Sequence, residues 1–146
     1  MNDSRIALRV EGLRVHYHTP GGPVRAVEGV DFDLRAGERL GLVGESGSGK
    51  TTTAMALMQL IRPPGRIEAG RAHLGDLELL SLSEEQMREA RFARISLIPQ
   101  GVMNSLNPVM RVGAQIADTI EAHDGRSSRD DMEARVRDLL ALVELD

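Results

Sequence analysis

The sequence predicts an α/β fold, and three observations lead to it. Two N-terminal segments alternate apolar and polar residues, which indicates an antiparallel pair of strands. A short apolar run then leads through a glycine-rich stretch into a segment of helical spacing, which gives the order strand, loop, helix. Two further helical patterns end the chain. We therefore expect a β subdomain with part of a mixed core over residues 1–109, and the beginning of a helical subdomain over residues 110–146.

The first elements follow from periodicity and turn residues. Residues 5–17 and 24–34 alternate on either side of a turn rich in proline and glycine, at 19–23. The apolar run at 40–43 is what a strand buried on both faces requires. Residues 51–61 have apolar side chains at helical spacing, and the Pro-Pro-Gly that follows two residues later stops a helix.

The later elements carry local signals of their own. Residues 67–80 indicate a strand or hairpin that turns at a Gly-Asp pair. The sequence Ser-Glu-Glu-Gln at 83–86 is a capping box, which opens a short helix. Residues 95–98 predict another short buried strand. Helices are expected over 110–122 and 129–145.

Composition narrows the class of protein. The 146 residues are 41% hydrophobic and 27% charged, which is typical of a globular protein, and without cysteine no disulfide or thiolate metal site can form. A net charge of −4 without a basic stripe argues against nucleic acid as a partner. Because no signal peptide or transmembrane run is visible, the cytosol is the expected compartment.

One motif carries chemistry. The segment Gly44–Thr51 reads Gly-Glu-Ser-Gly-Ser-Gly-Lys-Thr, which is the pattern of a phosphate-binding loop, or P-loop. Its glycines let successive backbone amides point into one concavity, and the N-terminus of the following helix adds a positive dipole end. Lys50, the only lysine in the chain, is expected to reach the β- and γ-phosphates. The Thr51 hydroxyl is expected to ligate Mg²⁺.

The nucleotide is expected to be ATP. A GTPase reads guanine with an Asn-Lys-x-Asp motif, which this chain cannot supply because its single lysine, Lys50, already belongs to the P-loop. A small-molecule kinase usually begins at the strand before the loop, whereas about 38 residues of strand-like sequence precede it here.

At this point the chain resembles a known family, the nucleotide-binding subunits of ATP-binding cassette transporters, in particular the dipeptide, oligopeptide and nickel importer branch. The resemblance rests on Gly41–Thr53, on Ile98-Pro99-Gln100, and on the Asn-Ser-Leu-Asn-Pro run at 104–108. It departs from the branch at Gly101-Val102, where Asp-Pro is more usual. The family implies a P-loop NTPase core of the RecA-like type.

The resemblance also implies roles for residues. Tyr17 matches the aromatic that stacks on adenine, although a core or edge-strand tyrosine is the alternative interpretation. Gln100 matches the glutamine that approaches Mg²⁺ and the attacking water, although a solvated loop amide is the alternative. Lys50 and Gln100 are thus the implied catalytic residues, and Thr51 and Gln100 the implied metal ligands. The implied ATP-contacting residues are Tyr17, Gly44, Glu45, Ser46, Gly47, Ser48, Gly49, Lys50, Thr51 and Thr52.

The implied partners are integral-membrane permease subunits, a second ATP-binding subunit and, indirectly, a solute-binding protein. Residues 101–108 would lie near the surface that meets the permease. The implied location is therefore the cytoplasmic face of the cell membrane, where the chain would be held as a peripheral subunit.

Three family features are not found in residues 101–146: a Leu-Ser-Gly-Gly-Gln loop, a strand bearing the Mg²⁺-organising Asp and catalytic Glu, and a switch His. The apolar run at 139–146 could be mistaken for that strand, but a cap at Ser128 indicates the end of an amphipathic helix. We therefore expect an incomplete, N-terminal portion of a subunit. A nucleotide-binding module without turnover and a soluble, non-transport cassette ATPase remain alternatives. His16 and His18 indicate an exposed strand face rather than a metal site.

Overall fold

The computed structural model describes residues 6–91, 93–99, 101, 106–125 and 128–144. Its contacts divide the chain into two compact units, Met1–Leu97 and Ile98–Asp146. The predicted boundary at residue 109 stays a prediction. None of the helices among the described residues is long and apolar enough to span a bilayer.

The first unit is built on an antiparallel sheet of four strands. These are β1 (Ile6–Thr19), β2 (Gly22–Arg35), β3 (Gly65–Leu74) and β4 (Leu77–Glu78), in the spatial order β2-β1-β3-β4. The predicted strand pair at the N-terminus and the predicted hairpin near residue 75 are confirmed. β1 is central, so its backbone is paired on both edges.

One face of the sheet forms the core of this unit. Along β1 the side chains of Leu13 and Val15 are fully buried, while Arg14 between them is exposed. This alternation is what a half-buried antiparallel strand requires. The buried face packs with residues of the helices and of a 3₁₀ turn (Leu79–Ser81). The core consists of Leu8, Val10, Leu13, Val15, Val27, Ala56, Leu57, Met58, Ala72, Leu79, Met87 and Ala90.

Four α-helices complete the described structure: α1 (Lys50–Leu57) and α2 (Glu84–Ala90) in the first unit, and α3 (Val112–Asp124) and α4 (Arg129–Leu142) in the second. The last helix confirms that residues 139–142 are helical and not a strand.

Both predicted N-terminal caps are confirmed. In the capping box before α2, the Ser83 hydroxyl accepts from the Gln86 amide, and the Gln86 side chain accepts from the Ser83 amide. Before α4 the Ser128 hydroxyl accepts from the Asp131 amide. Each cap satisfies an amide that would otherwise lack a helical partner.

α1 ends at Leu57, earlier than the predicted end at residue 61. The reason is local: Gln59 adopts a positive φ of 50°, and its side-chain amide donates to the carbonyls of Leu79 and Leu82 at 2.5 and 3.1 Å. The hydrogen bonds to the 3₁₀ turn and the residue after it therefore hold the chain in a conformation that cannot continue a helix.

Two predicted strands are wrong. Residues 40–43 form no strand, and Leu40, Leu42 and Val43 are 45%, 46% and 93% exposed. Residues 95–98 make a single bridge, from Ile95 to Arg91, and Ile98 is 85% exposed. A buried parallel strand needs hydrogen-bonded neighbours on both edges. No described residue pairs with 40–43, and residues 96–98 likewise lack a partner strand.

Candidate functional site

The P-loop, Gly44–Thr51, runs into the first turn of α1. Three of its glycines have positive φ angles: 152° at Gly44, 82° at Gly47 and 91° at Gly49. Such angles curl the chain so that backbone amides can face one side. The N-cap of α1 is Gly49, which has no side chain to occupy the helix amides. Residues 44–48 are exposed, so the concavity is open to a ligand.

Gly49 fixes the position of this loop against the sheet. A Cβ on Gly49 would overlap the carbonyl oxygen of Ala26 and lie 3.4 Å from the Val27 side chain, both in β2. A Cβ on Gly44 would lie 2.7 Å from the Ser48 hydroxyl. The backbone of β2 therefore requires glycine at Gly49, whereas at Gly44 the positive φ and the Ser48 side chain favour it.

Lys50 folds back across the loop. Its ammonium donates to the carbonyls of Gly44 at 2.8 Å and Glu45 at 2.6 Å, and to the Ser48 hydroxyl at 3.2 Å. The positive charge is thus held at the concavity by neutral acceptors rather than by a carboxylate. The ammonium forms no ion pair among the described residues, so its charge is available to an anion that arrives there.

The three threonines after Lys50 differ in burial. Thr51 is exposed and Thr52 is half-buried. Thr53 is buried, and its hydroxyl donates to the carbonyl of Gly49 at 3.0 Å. Sequence reasoning missed this support for the loop. Its signal is the spacing of four residues, at which a threonine hydroxyl can bond back to a helical carbonyl.

Tyr17 lies in β1 with its ring half-buried, opposite Val24 of β2 and Gly65 of β3. A Cβ on Gly65 would come within 2.7 Å of the Tyr17 ring, so the ring covers that glycine. Val24 is two residues before Ala26, where the P-loop meets the sheet, a separation of roughly 7 Å along the strand. Tyr17 therefore lies on β1, the strand next to the one that the loop meets.

The remaining predicted site residue, Gln100, lies outside the described residues, as do Asn104 and Ser105 of the family-like run. Leu106, Asn107 and Pro108 are described and exposed. They lead into α3.

The two histidines of the exposed strand face each contact a glutamate. His16 Nε2 lies 2.8 Å from Glu28 Oε2, and His18 Nε2 lies 2.6 Å from Glu68 Oε1. The hydrogen bond from each histidine holds the pKa of its glutamate below the ordinary value. Among the described residues, no group of three potential metal ligands comes together.

The arrangement can bind a chain of phosphates. Glycines at 44, 47 and 49 leave space next to the backbone, an ammonium bonded only to neutral loop acceptors among the described residues lies beside that space, and a hydroxyl follows at Thr51. Polyphosphate oxygens accept hydrogen bonds from amides and ammonium groups, and a hydroxyl oxygen can ligate Mg²⁺. The donor set therefore fits a magnesium nucleotide.

Several known proteins are similar in sequence to this chain. Residues 27–146 match the family model described as ABC transporter. The oligopeptide transport ATP-binding protein OppD of Salmonella typhimurium is 47% identical over 139 residues, which are 95% of this chain and 41% of the relative. The dipeptide transport ATP-binding protein DppD of Caldanaerobacter subterraneus is 37% identical over 140 residues, covering 96% and 43% of the two chains. The glutathione import ATP-binding protein GsiA of Salmonella typhimurium is 47% identical over 131 residues, covering 86% and 21%.

A solved structure shares the fold. It is described as a dimeric structure of a post-hydrolysis state of the ATP-binding cassette MJ0796 bound to ADP and Pi. The TM-score is 0.77 at 18% identity, with 95% of this chain and 58% of that chain covered. The present chain thus spans well under half the length of the transport proteins that it matches.

Proposed function

Because this chain belongs to the ABC transporter family, we propose that it acts as the ATP-binding subunit that energises an importer of peptides or similar small solutes. The observation that carries the proposal is the exposed P-loop before α1, where three glycines have positive φ and the Lys50 ammonium lies against the loop. The names of the relatives, which are oligopeptide, dipeptide and glutathione transport proteins, support the class of solute.

In this function the loop residues hold the nucleotide. Amides of Gly44–Gly49 and the start of α1 donate to phosphate oxygens, with Glu45, Ser46, Gly47 and Ser48 contributing backbone or hydroxyl groups. Lys50 exchanges its three acceptors in the loop for the β- and γ-phosphate oxygens. Thr51 would ligate Mg²⁺ through its hydroxyl, and the neighbouring Thr52 would contact phosphate from the same turn. The magnesium ion would offset the charge that develops on the phosphates.

The adenine would stack on Tyr17. The ring lies against Gly65 of β3, and Tyr17 belongs to β1, the strand next to the one that meets Gly49. Base stacking on an aromatic ring tolerates a modest shift of the base, so a half-buried tyrosine is a suitable platform.

ATP hydrolysis and its coupling to transport would involve further subunits. Gln100 would place the attacking water near Mg²⁺ and report on the membrane subunits, with Lys50 stabilising the transferred phosphoryl group. The partners would be a second ATP-binding subunit, as in the dimeric cassette structure, and integral-membrane permease subunits that receive solute from a solute-binding protein. The chain would then work at the cytoplasmic face of the cell membrane.

Two other functions differ in class. A nucleotide-binding module without turnover would bind the nucleotide through the same P-loop but would release no phosphate. A soluble, non-transport cassette ATPase would share the P-loop but would not associate with a permease. Magnesium-dependent phosphate release that Lys50→Ala abolishes would exclude the binding-only module.

Calorimetric titration with Mg²⁺ and ATP tests the proposal. Removing the Lys50 ammonium deletes charge-assisted hydrogen bonds of about 1.5–3 kcal/mol, so Lys50→Ala is expected to weaken ATP binding roughly tenfold to a hundredfold. Arg88→Ala removes an exposed cation from α2 and is expected to leave the affinity unchanged. If the folded wild-type chain gives no heat beyond dilution, the proposal is wrong.

A further inference from the structure

The ring of Tyr17 lies toward one of the two strands that flank it. Tyr17 pairs with Val24 of β2 on one side and with Gly65 of β3 on the other. Paired residues of antiparallel strands project from the same face of a sheet, so the three positions lie side by side. The Tyr17 Cε1 atom is only 2.7 Å from the place that a Cβ on Gly65 would take. The ring thus occupies space that any other residue at position 65 would need.

The backbone at Gly65 is fixed, so it cannot make room for a side chain. Gly65 is buried, and its amide donates to the Arg62 carbonyl at 2.9 Å. The Pro64 carbonyl accepts from the His18 amide at 3.0 Å, which joins the preceding peptide to β1. A Cβ on Gly65 would also lie 2.8 Å from Ile61 Cγ2. A methyl group at position 65 could therefore be accommodated only if a side chain moved.

Gly65 provides space rather than an unusual backbone conformation. Its φ angle is not in the positive region that disfavours a side chain, in contrast to those of Gly44 and Gly49. An alanine at position 65 would therefore cause no backbone strain of its own. Its effect would come from the contacts of one methyl group, and the ring of Tyr17 is the nearest of them.

A second position is available to the ring on its other side. Val24 is 55% exposed, so the ring leaves this side chain largely uncovered. In strands a side chain commonly adopts more than one staggered χ1 angle. A ring that was pushed off β3 would turn toward β2 and cover the exposed apolar surface of Val24. The missing Cβ at Gly65 therefore decides over which neighbouring strand the ring lies.

We propose that Gly65 is a positioning residue for the nucleotide base, because its lack of a side chain sets the position of the Tyr17 ring over β3. The inference rests on the proposed function, which supplies the nucleotide, and adds the residue that places the ring. Base and phosphates belong to one molecule, so the base can stack only if the ring stands at the right distance from the P-loop. A ring displaced toward β2 would lose that stack while the P-loop kept its own contacts.

The chain contains a spectroscopic reporter for the ring. Tyr17 is the only tyrosine and the chain has no tryptophan, so its intrinsic fluorescence reports on this one side chain. A base stacked on the ring quenches its emission. Magnesium ATP is therefore expected to quench the fluorescence, after correction for absorption by the nucleotide. Magnesium tripolyphosphate, which has no base, should bind the P-loop without quenching.

Gly65→Ala separates the base from the phosphates. The variant should bind magnesium ATP about tenfold more weakly, the effect of losing one stacked base, and its fluorescence should no longer be quenched. Its calorimetric affinity for magnesium tripolyphosphate should stay within about twofold of the wild-type value, whereas a general loss of folded protein would lower both affinities. Gly21→Ala adds the same methyl group in the turn between β1 and β2, where the nearest atom is Thr19 Oγ1 at 3.8 Å. This control should behave like the wild type in all measurements.

A double-mutant cycle tests whether the methyl group acts through the ring. Gly65→Ala should weaken ATP binding about tenfold when Tyr17 is present, but less than about twofold in the Tyr17→Ala background. Equal losses in the two backgrounds would overturn the proposal. If Gly65→Ala does not fold, as judged by circular dichroism, Ile61→Ala combined with Gly65→Ala removes one collision and keeps the one with the ring. Failure of both variants to fold would show that Gly65 serves the fold, and would also overturn the proposal.

The outcomes distinguish this inference from the proposed function. If the wild type binds ATP and Gly65→Ala binds it equally well, the role of Gly65 is refuted and the proposed function stands. Binding of ATP that leaves the Tyr17 fluorescence unchanged refutes it as well. If the folded wild type binds neither magnesium ATP nor magnesium tripolyphosphate, the proposed function fails and this inference fails with it.

Discussion

At the scale of single residues, the position of the P-loop depends on the absence of a Cβ at its glycines as well as on the groups that are present. Gly49 has no Cβ, which lets α1 start directly against the Ala26 carbonyl of β2. The motif was predictable from the sequence because each of its glycines provides a positive φ angle that the loop needs. The contact with Ala26 could not be predicted, since it depends on how the loop packs on a strand more than twenty residues earlier.

We expect Gly49→Ala to destabilise the fold more than Gly47→Ala. Both residues have positive φ, which costs an alanine about 1–2 kcal/mol. Only at Gly49 does the new methyl group also collide with backbone, because nothing lies within 4 Å of a Cβ at Gly47. Urea denaturation should therefore show a loss of about 1 kcal/mol for Gly47→Ala and more than about 3 kcal/mol for Gly49→Ala. Equal losses would contradict the packing described for the loop.

At the scale of elements, the signals that succeeded were local. The capping box at 83–86 and the cap at Ser128 appear in the structure as the sequence predicts, because a cap involves only residues three apart. The strands predicted at 40–43 and 95–98 fail because a strand exists only if another strand pairs with it. An apolar run in the sequence indicates that a segment favours burial. It does not show whether another strand is available to pair with that segment.

The pairing of β1 with β3 includes a contact that depends on pH. The pKa of Glu68 is lowered by the hydrogen bond from His18, and further by the charges of His18, His16 and Arg66. A lowered pKa means that the folded state favours the carboxylate. This contribution to stability is complete above the ordinary value of 4.5 and is lost as the pH falls through the lowered pKa.

We therefore expect the free energy of unfolding to fall more steeply on acidification in the wild type than in Glu68→Gln. The measurement is urea denaturation between about pH 7 and about pH 3.5. Glu85→Gln, which changes an exposed α2 carboxylate without a hydrogen-bonding partner among the described residues, should follow the wild-type curve. Parallel curves for Glu68→Gln and the wild type would show that the histidine contact contributes nothing.

At the scale of the molecule, an ABC cassette fold is represented by its antiparallel sheet, the P-loop helix and one pair of helices. The fold class was predictable because its strongest signals, alternation and the P-loop, lie within short stretches. The placement of Tyr17 two residues along the sheet from the P-loop contact was not, since it follows from the register between β1 and β2. The sequence predicts which groups are present, and the register decides which of them are neighbours.

At this scale too, the apolar segment at residues 40–43 is exposed to solvent. Val43 is 93% exposed just before the P-loop, in a segment without strand partners among the described residues. The unpaired backbone of an apolar segment can hydrogen-bond to a second chain. We therefore expect the isolated chain to self-associate through residues 40–43.

Light scattering at rising protein concentration should detect this association. Val43→Thr keeps the branched shape and replaces one methyl group with a hydroxyl. It is expected to reduce scattering while ATP affinity stays within about twofold. Val143→Thr, at a position 63% exposed just beyond α4, makes the same change outside the unpaired segment and should scatter like the wild type. A wild-type chain that remains monomeric and melts in one sharp transition would contradict the expectation, because an uncovered apolar segment would then carry no penalty.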